Sequence, residues 1–181
     1  MDQDLHVFAY GSLIWRPGFP FTGREAGLLR GYHRRFCLRS TMYRGTVEAP
    51  GLVLGLDRGG ACQGLVFRVA ATEAAGVLDY LEERENPRGQ HVYHRRLLPV
   101  RLASGEAVRA VSYVADRRHP AYCRPCEAEA TAAIARGRGE AGLNRDYLRH
   151  TVEHLRAFGL RDPGLERLLA LVSAATPAAA A

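Results

Sequence analysis

The residues with chemistry to offer fall into four groups. The first is the stop in VFAYGSLIW, where the apolar run Val7-Phe8-Ala9-Tyr10 breaks at Gly11-Ser12 and resumes at Leu13-Ile14-Trp15. A hydrolase elbow needs GxSxG around its serine. Here Gly11 directly precedes Ser12, nothing small follows at the required place, and no His and Asp pair completes a triad. Ser12 is therefore a poor nucleophile. A strand that ends in a tight turn fits better. Gly lacks a Cβ and lets a ligand approach the backbone, and successive free N–H groups form a concavity for a carboxylate or an oxyanion. An ordinary turn between two core segments satisfies the same two residues.

The second group is the carboxylate cluster in LDYLEERE, Leu78 to Glu85. A carboxylate at a helix C-terminus faces an unfavourable dipole. If it is also buried, its proton affinity rises towards that of a general base at neutral pH. Three solvated glutamates are the plain alternative, and for Glu82 and Glu83 that is the expectation.

The third group is Cys123 and Cys126, the closely spaced pair among four cysteines. A structural zinc site needs a second ligand pair. Cys37 and Cys62 sit apart in strand-like stretches, and His119 alone does not complete a set. A thioredoxin-type CxxC would open a helix after a strand. Incidental thiols are expected, and no metal.

The fourth group is arginine. The net charge is +6 and the chain has no lysine, so Schiff-base chemistry and a phosphate-loop lysine are excluded. The pairs Arg34-Arg35, Arg95-Arg96 and Arg117-Arg118 are scattered among acids. A nucleic-acid-binding arm is more often a dense basic block. An Arg-rich polyanion-binding module is the non-enzymatic rival, and nucleic acid is not the expected partner.

The elements that must position these groups follow from pattern. The 181 residues suit a single domain, 1–175, with a disordered tail, 176–181. No apolar run approaches the roughly 20 residues of a membrane span, and MDQDLH is no signal-peptide front. The expected location is the cytoplasm. Strands are expected at Val7–Tyr10, Arg35–Leu38, Gly51–Leu56 and Gln63–Val69. Asp57-Arg58-Gly59-Gly60 should close a hairpin between the last two. A helix capped by Thr72 should carry Ala75, Val77, Leu78 and Leu81 as its apolar positions and stop at Asn86-Pro87. Strands near Val92–Val100 and Ala107–Val114 flank a turn at Ser104-Gly105. Helices follow at Glu127–Arg136, Asn144–Phe158 and Pro163–Ala174, the second with a stripe of Tyr147, Leu148, Thr151, Val152 and Leu155. Strands, one inserted helix and then helices make an α+β chain with a largely antiparallel or mixed sheet.

Taken in order, these segments resemble the ChaC-type γ-glutamylcyclotransferases, which act on glutathione, from Val7 to about Leu169. VFAYGSLIW is similar to that family's substrate-binding YGSL loop, here Ala9 to Leu13. Arg34-Arg35-Phe36, Ser40-Thr41 through Arg44-Gly45, Pro50-Gly51-Leu52-Val53, QGLVFRV, Tyr113-Val114-Ala115-Asp116 and GLNRDYL follow in the family order. The final Glu of LDYLEERE matches the family's catalytic residue, which makes it Glu85.

The resemblance implies a small mixed β-barrel with surrounding helices. It also implies cleavage of a γ-glutamyl amide to 5-oxoproline and a free amine, with no metal or organic cofactor. The substrate's α-amino group attacks its own γ-carbonyl, so a folded pose supplies much of the rate. Glu85 then carries the proton as base and acid. The N–H groups of Gly11, Ser12 and Leu13 are candidates for a substrate carboxylate or the oxyanion. Tyr10, Tyr93 and Tyr113 are candidates for positioning through their hydroxyls, and Arg44 for a forked hold on a carboxylate. Two departures stand out: Ala9 where the family has Gly, and Met42-Tyr43 where it often has Asp-His. The second keeps open other γ-glutamyl amines or dipeptides as substrates.

Overall fold

The computed structural model describes residues 3–176. Five strands close a mixed barrel in the order β1-β3-β2-β4-β5, and β6 and β7 form a separate two-stranded sheet. The chain divides into two compact units, one taking the segments up to Arg35 and Gly55–Pro120, the other Phe36–Leu54 and the chain from Ala121 on.

In the first unit, β1 (Leu5–Ala9) lies between two neighbours. It pairs antiparallel with β3 (Gly51–Val69), from Leu5↔Val69 to Ala9↔Leu65, and parallel with β5 (Ala107–Ala115) at Val7↔Val111. Its neighbours satisfy both edges, and its two faces are both covered, since Val7, Phe8 and Ala9 are each at most 1% exposed; that is why they read as an unbroken apolar run. β4 (Tyr93–Leu102) pairs antiparallel with β5 from Tyr93↔Ala115 to Arg101↔Ala107, and with β2 (Gly23–Ser40) at Gly27↔Leu102.

The Gly59-Gly60 hairpin does not form. β3 runs through both glycines as one 19-residue strand. Their φ values of +103° and +71° bend it, and Gly31 of β2, at +83°, is another such point. The His33 ring bonds the Gly59 carbonyl at 2.9 Å. A Gly-Gly pair supplies positive φ to a bend as readily as to a turn. The 18-residue partner strand β2 decided between them, and only its Arg35–Leu38 portion had an apolar signature.

Helix α1 (Ala74–Glu85) follows a 3-10 turn at Ala71–Glu73. Thr72 falls inside that turn, so it is not the cap. Ala74, Val77 and Leu81 form the buried stripe, whereas Ala75 is exposed and Leu78 half-buried, because the buried face follows the i, i+3, i+7 spacing from Ala74. Glu85 lies four residues beyond Leu81 and so continues the same stripe. The helix stops at Asn86, before Pro87, as the sequence indicates.

In the second unit, α2 (Glu127–Arg136), α3 (Asn144–Ala157) and α4 (Pro163–Ala175) pack on one another. The α3 stripe buries Tyr147, Leu148, Thr151, Val152 and Leu155 as expected. Its first residue, Asn144, is fully buried and clasps Leu52 in both directions, donating to its carbonyl and accepting from its N–H at 2.7 Å each. Cys126 caps α2, with its N–H on the Glu129 carboxylate at 2.8 Å. All four cysteines are free thiols. No helix among the described residues is long and apolar enough to cross a membrane. Of the expected tail, Thr176 ends α4 and residues 177–181 lie outside the described residues.

Candidate active site

In the first unit the chain leaves β1 at Ala9 and turns at Tyr10-Gly11 into a 3-10 turn, Ser12–Ile14. The turn is built from its own backbone: Ile14 N–H donates to Gly11 and Arg16 N–H to Ser12, both at 2.9 Å. The N–H groups of Ser12 and Leu13 are its opening donors, which a helical turn leaves without an internal acceptor. The Gly11 φ of −131° lies outside the left-handed region, so this position does not draw on glycine's left-handed freedom. Leu13 and Ile14 are buried and anchor the turn from beneath. From β2, buried Arg34 donates to the Tyr10 carbonyl at 2.8 Å and also to the Gln63 carbonyl, which fixes where β1 ends.

Glu85 ends α1 with 17% of its side chain exposed. Burial raises its pKa from 4.5 to about 7, and the neighbouring Arg84 guanidinium pulls part of that back. Arg84 Nε is 3.5 Å from Glu85 Oε1, and another of its nitrogens donates to Ser12 Oγ at 3.0 Å. The end of α1 and the 3-10 turn thus meet through Arg84.

Glu82 is not solvated, contrary to expectation. Its carboxylate accepts from the Tyr113 hydroxyl at 3.2 Å and from Asn86 Nδ2 at 2.7 Å. One turn of helix brings it to the β5 side, whereas Glu83 remains exposed as expected. Burial, then the Glu82 charge and hydrogen bond, raise the Tyr113 pKa well above its ordinary value. Arg95 works against that shift and Glu85 adds to it. Tyr113 is therefore a permanent donor beside two carboxylates. Tyr10 donates its hydroxyl to the Tyr113 carbonyl at 2.9 Å. Tyr93 is held at its backbone: Asn86 accepts from its N–H at 3.0 Å and donates to its carbonyl at 3.1 Å.

The structure therefore joins Tyr10, Ser12, Glu85, Tyr93 and Tyr113 in one unit through a linked set of contacts. Ala9, Gly11 and Leu13 are their chain neighbours. Arg44 belongs to the second unit. There its guanidinium donates to the carbonyls of Ala141 and Leu143 and lies 5.1 Å over the Tyr147 ring. Three contributors escaped the sequence reading: Arg84, Glu82 and Asn86. A faint signal existed for the first, since Tyr80 and Arg84 stand at i, i+4 on the face next to the Glu85 stripe. Asn86 was legible only as a helix stop.

Comparison with known proteins places this arrangement in context. A family model described as ChaC-like protein matches residues 5–175. A glutathione-specific γ-glutamylcyclotransferase of Escherichia coli K12 is 37% identical over 167 residues, covering 92% of this chain and 71% of the relative. A human protein named glutathione-specific γ-glutamylcyclotransferase 1 is 34% identical over 175 residues, covering 95% and 78%. The fold is similar to that of a yeast γ-glutamyl cyclotransferase specific to glutathione, with a TM-score of 0.86 at 23% identity, covering 96% of this chain and 97% of that one.

Proposed function

The chain belongs to the ChaC-like protein family, and from that premise we propose that it is a glutathione-specific γ-glutamylcyclotransferase. The reaction converts glutathione to 5-oxoproline and Cys-Gly. The α-amino nitrogen of the γ-glutamyl group bonds to its own γ-carbonyl carbon, and the amide bond to cysteine breaks. One proton leaves the attacking amine and one reaches the departing amine, so a single carrier serves both steps and no water is consumed.

Glu85 is that carrier. The observation that bears most weight is its carboxyl at the end of α1, half-protonated near neutral pH because it is buried. Such a group takes a proton from the neutral amine as it attacks and returns it to the leaving amine with little cost in either direction. The backbone N–H groups opening the Ser12–Ile14 turn are suited to the substrate carboxylate or to the oxygen that gains charge in the ring-closing step. Tyr113, a fixed donor to Glu82 that also feels the charge of Glu85, shapes the same region. Tyr10 bonds the Tyr113 carbonyl and Tyr93 is held at its backbone by Asn86, which keeps both beside Tyr113 and the end of α1. Arg44 remains a proposed hold on a substrate carboxylate. A single catalytic domain over 1–175 is the corresponding reading of the family match, and cytoplasmic action is part of the same proposal.

The test is incubation of the purified protein with glutathione and mass detection of both products, with Glu85→Gln beside it. The variant keeps size and shape but cannot take the proton. Its turnover should fall about 100-fold or more. Near-normal turnover in the variant would remove Glu85 from the reaction. If the wild type yields neither product from glutathione but releases 5-oxoproline from another γ-glutamyl amine, the substrate assignment falls and the reaction type stands.

A further inference from the structure

Arg84 has no task in the reaction as drawn, yet its side chain makes contacts in several directions while only 23% exposed. Nε faces Glu85 Oε1 at 3.5 Å. One terminal nitrogen donates to Ser12 Oγ at 3.0 Å. The other donates to the Arg16 carbonyl and to the Tyr80 hydroxyl, each at 2.8 Å. Tyr80 is itself braced. Its ring stands edge-on to Phe19 at 6.3 Å, and a Cβ at Gly18 would lie 2.1 Å from its hydroxyl oxygen.

We propose that Arg84 is a positioning residue that ties the proton carrier Glu85 to the Ser12–Arg16 substrate turn. This rests on the reading of Glu85 as the carrier. A planar guanidinium can address a carboxylate with one edge and two other acceptors with its ends, whereas an ammonium offers one point of charge. The charge and the fork therefore have separable consequences. The charge keeps Glu85 from binding its proton more tightly. That carboxylate faces Arg84 on α1 and acts on Tyr113 of β5, which also carries the influence of Glu82 of α1 and Arg95 of β4. Tyr113 is neutral, and Arg84 is the cation that acts on Glu85 among the described residues. The fork holds the turn whose opening N–H groups the proposed reaction assigns to substrate.

The test compares Arg84→Gln and Arg84→Lys by the pH dependence of kcat/KM for glutathione, and by direct 13C NMR titration of the Glu85 carboxyl in the substrate-free protein. Arg84→Gln removes the charge. The acid limb and the Glu85 titration should both move to higher pH by about one unit or more, the usual effect of a guanidinium beside a carboxylate. Arg84→Lys keeps the charge and loses the fork. Its limb should stay near that of the wild type while KM rises about tenfold, the equivalent of one charge-assisted hydrogen bond, and kcat changes little. A Glu85 titration that does not move in Arg84→Gln, or an unchanged KM in Arg84→Lys, overturns the proposal. If Arg84→Gln does not fold, Arg84→Lys alone decides. The titration needs no turnover, so failure of glutathione as substrate would show in the wild-type assay and leave the Arg84 result interpretable.

Discussion

Removing the carboxylate at Glu85 should stabilise the protein in alkaline buffer while destroying its activity. The pKa of this carboxyl rises from 4.5 to about 7 on folding. At 1.4 kcal/mol per pH unit, that difference corresponds to about 3 kcal/mol. The sign follows from which state binds the proton more tightly. The folded state does, so between pH 4.5 and 7 it holds a proton that the unfolded chain has released. The favourable contribution is complete below pH 4.5 and is lost as pH rises through about 7. Above that, a buried negative charge works against folding. Glu85→Gln has no such dependence. Urea unfolding of both proteins at pH 4.5 and pH 8 should therefore show the variant gaining on the wild type by about 3 kcal/mol between the two conditions. Every other titrating group is common to both proteins and cancels in the difference. A stability difference that stays constant across that range would refute the claim that burial controls Glu85, and with it the reason for choosing this glutamate as the carrier.

Gly18→Ala should act on the site from a distance. Gly18 has φ of +72° and its Cβ would collide with the Tyr80 hydroxyl, so a stability loss of more than about 1 kcal/mol should come with a raised KM as Tyr80 and Arg84 shift. Thermal melts and steady-state kinetics on one preparation check both. Asn144→Ala removes both halves of the clasp on Leu52 and leaves a buried N–H and C=O without partners. A loss of about 3 kcal/mol is expected in urea unfolding; a loss below about 1 kcal/mol would mean that water replaces the amide.

Much of this structure is written locally. The bounds of α1 follow from its apolar spacing and from Pro87, and those of α2 to α4 from similar signals. The turn after Tyr10 is visible in the arrest of an apolar run. Glu85 could be chosen from the family order, and its burial from its place four residues after Leu81. What stayed hidden depends on distant partners. Gly59-Gly60 looks the same in a hairpin as in a bent strand until the length of β2 is known. The stretch of β2 from Gly23 to Arg34 mixes exposed, half-buried and buried positions, with Leu29 its one large fully buried apolar side chain, which leaves only a faint apolar signature. Glu82 and Glu83 are indistinguishable as letters, and only the position of β5 gives one of them Tyr113. Arg84 reads as a surface charge until the 3-10 turn is folded back onto it.

The Asn86 side chain bonds Tyr93 through both the N–H and the carbonyl of that residue. The six residues between them, 87–92, therefore leave and return through one fixed gate. Lengthening a loop whose ends are already pinned adds only a slowly growing entropic cost, and none of the added chain pulls on Glu85 or on the start of β4. The gate makes the excursion a free parameter for evolution. A short peptide spliced in at Gly89-Gln90 would be carried at the margin of the active site without being felt by the chemistry.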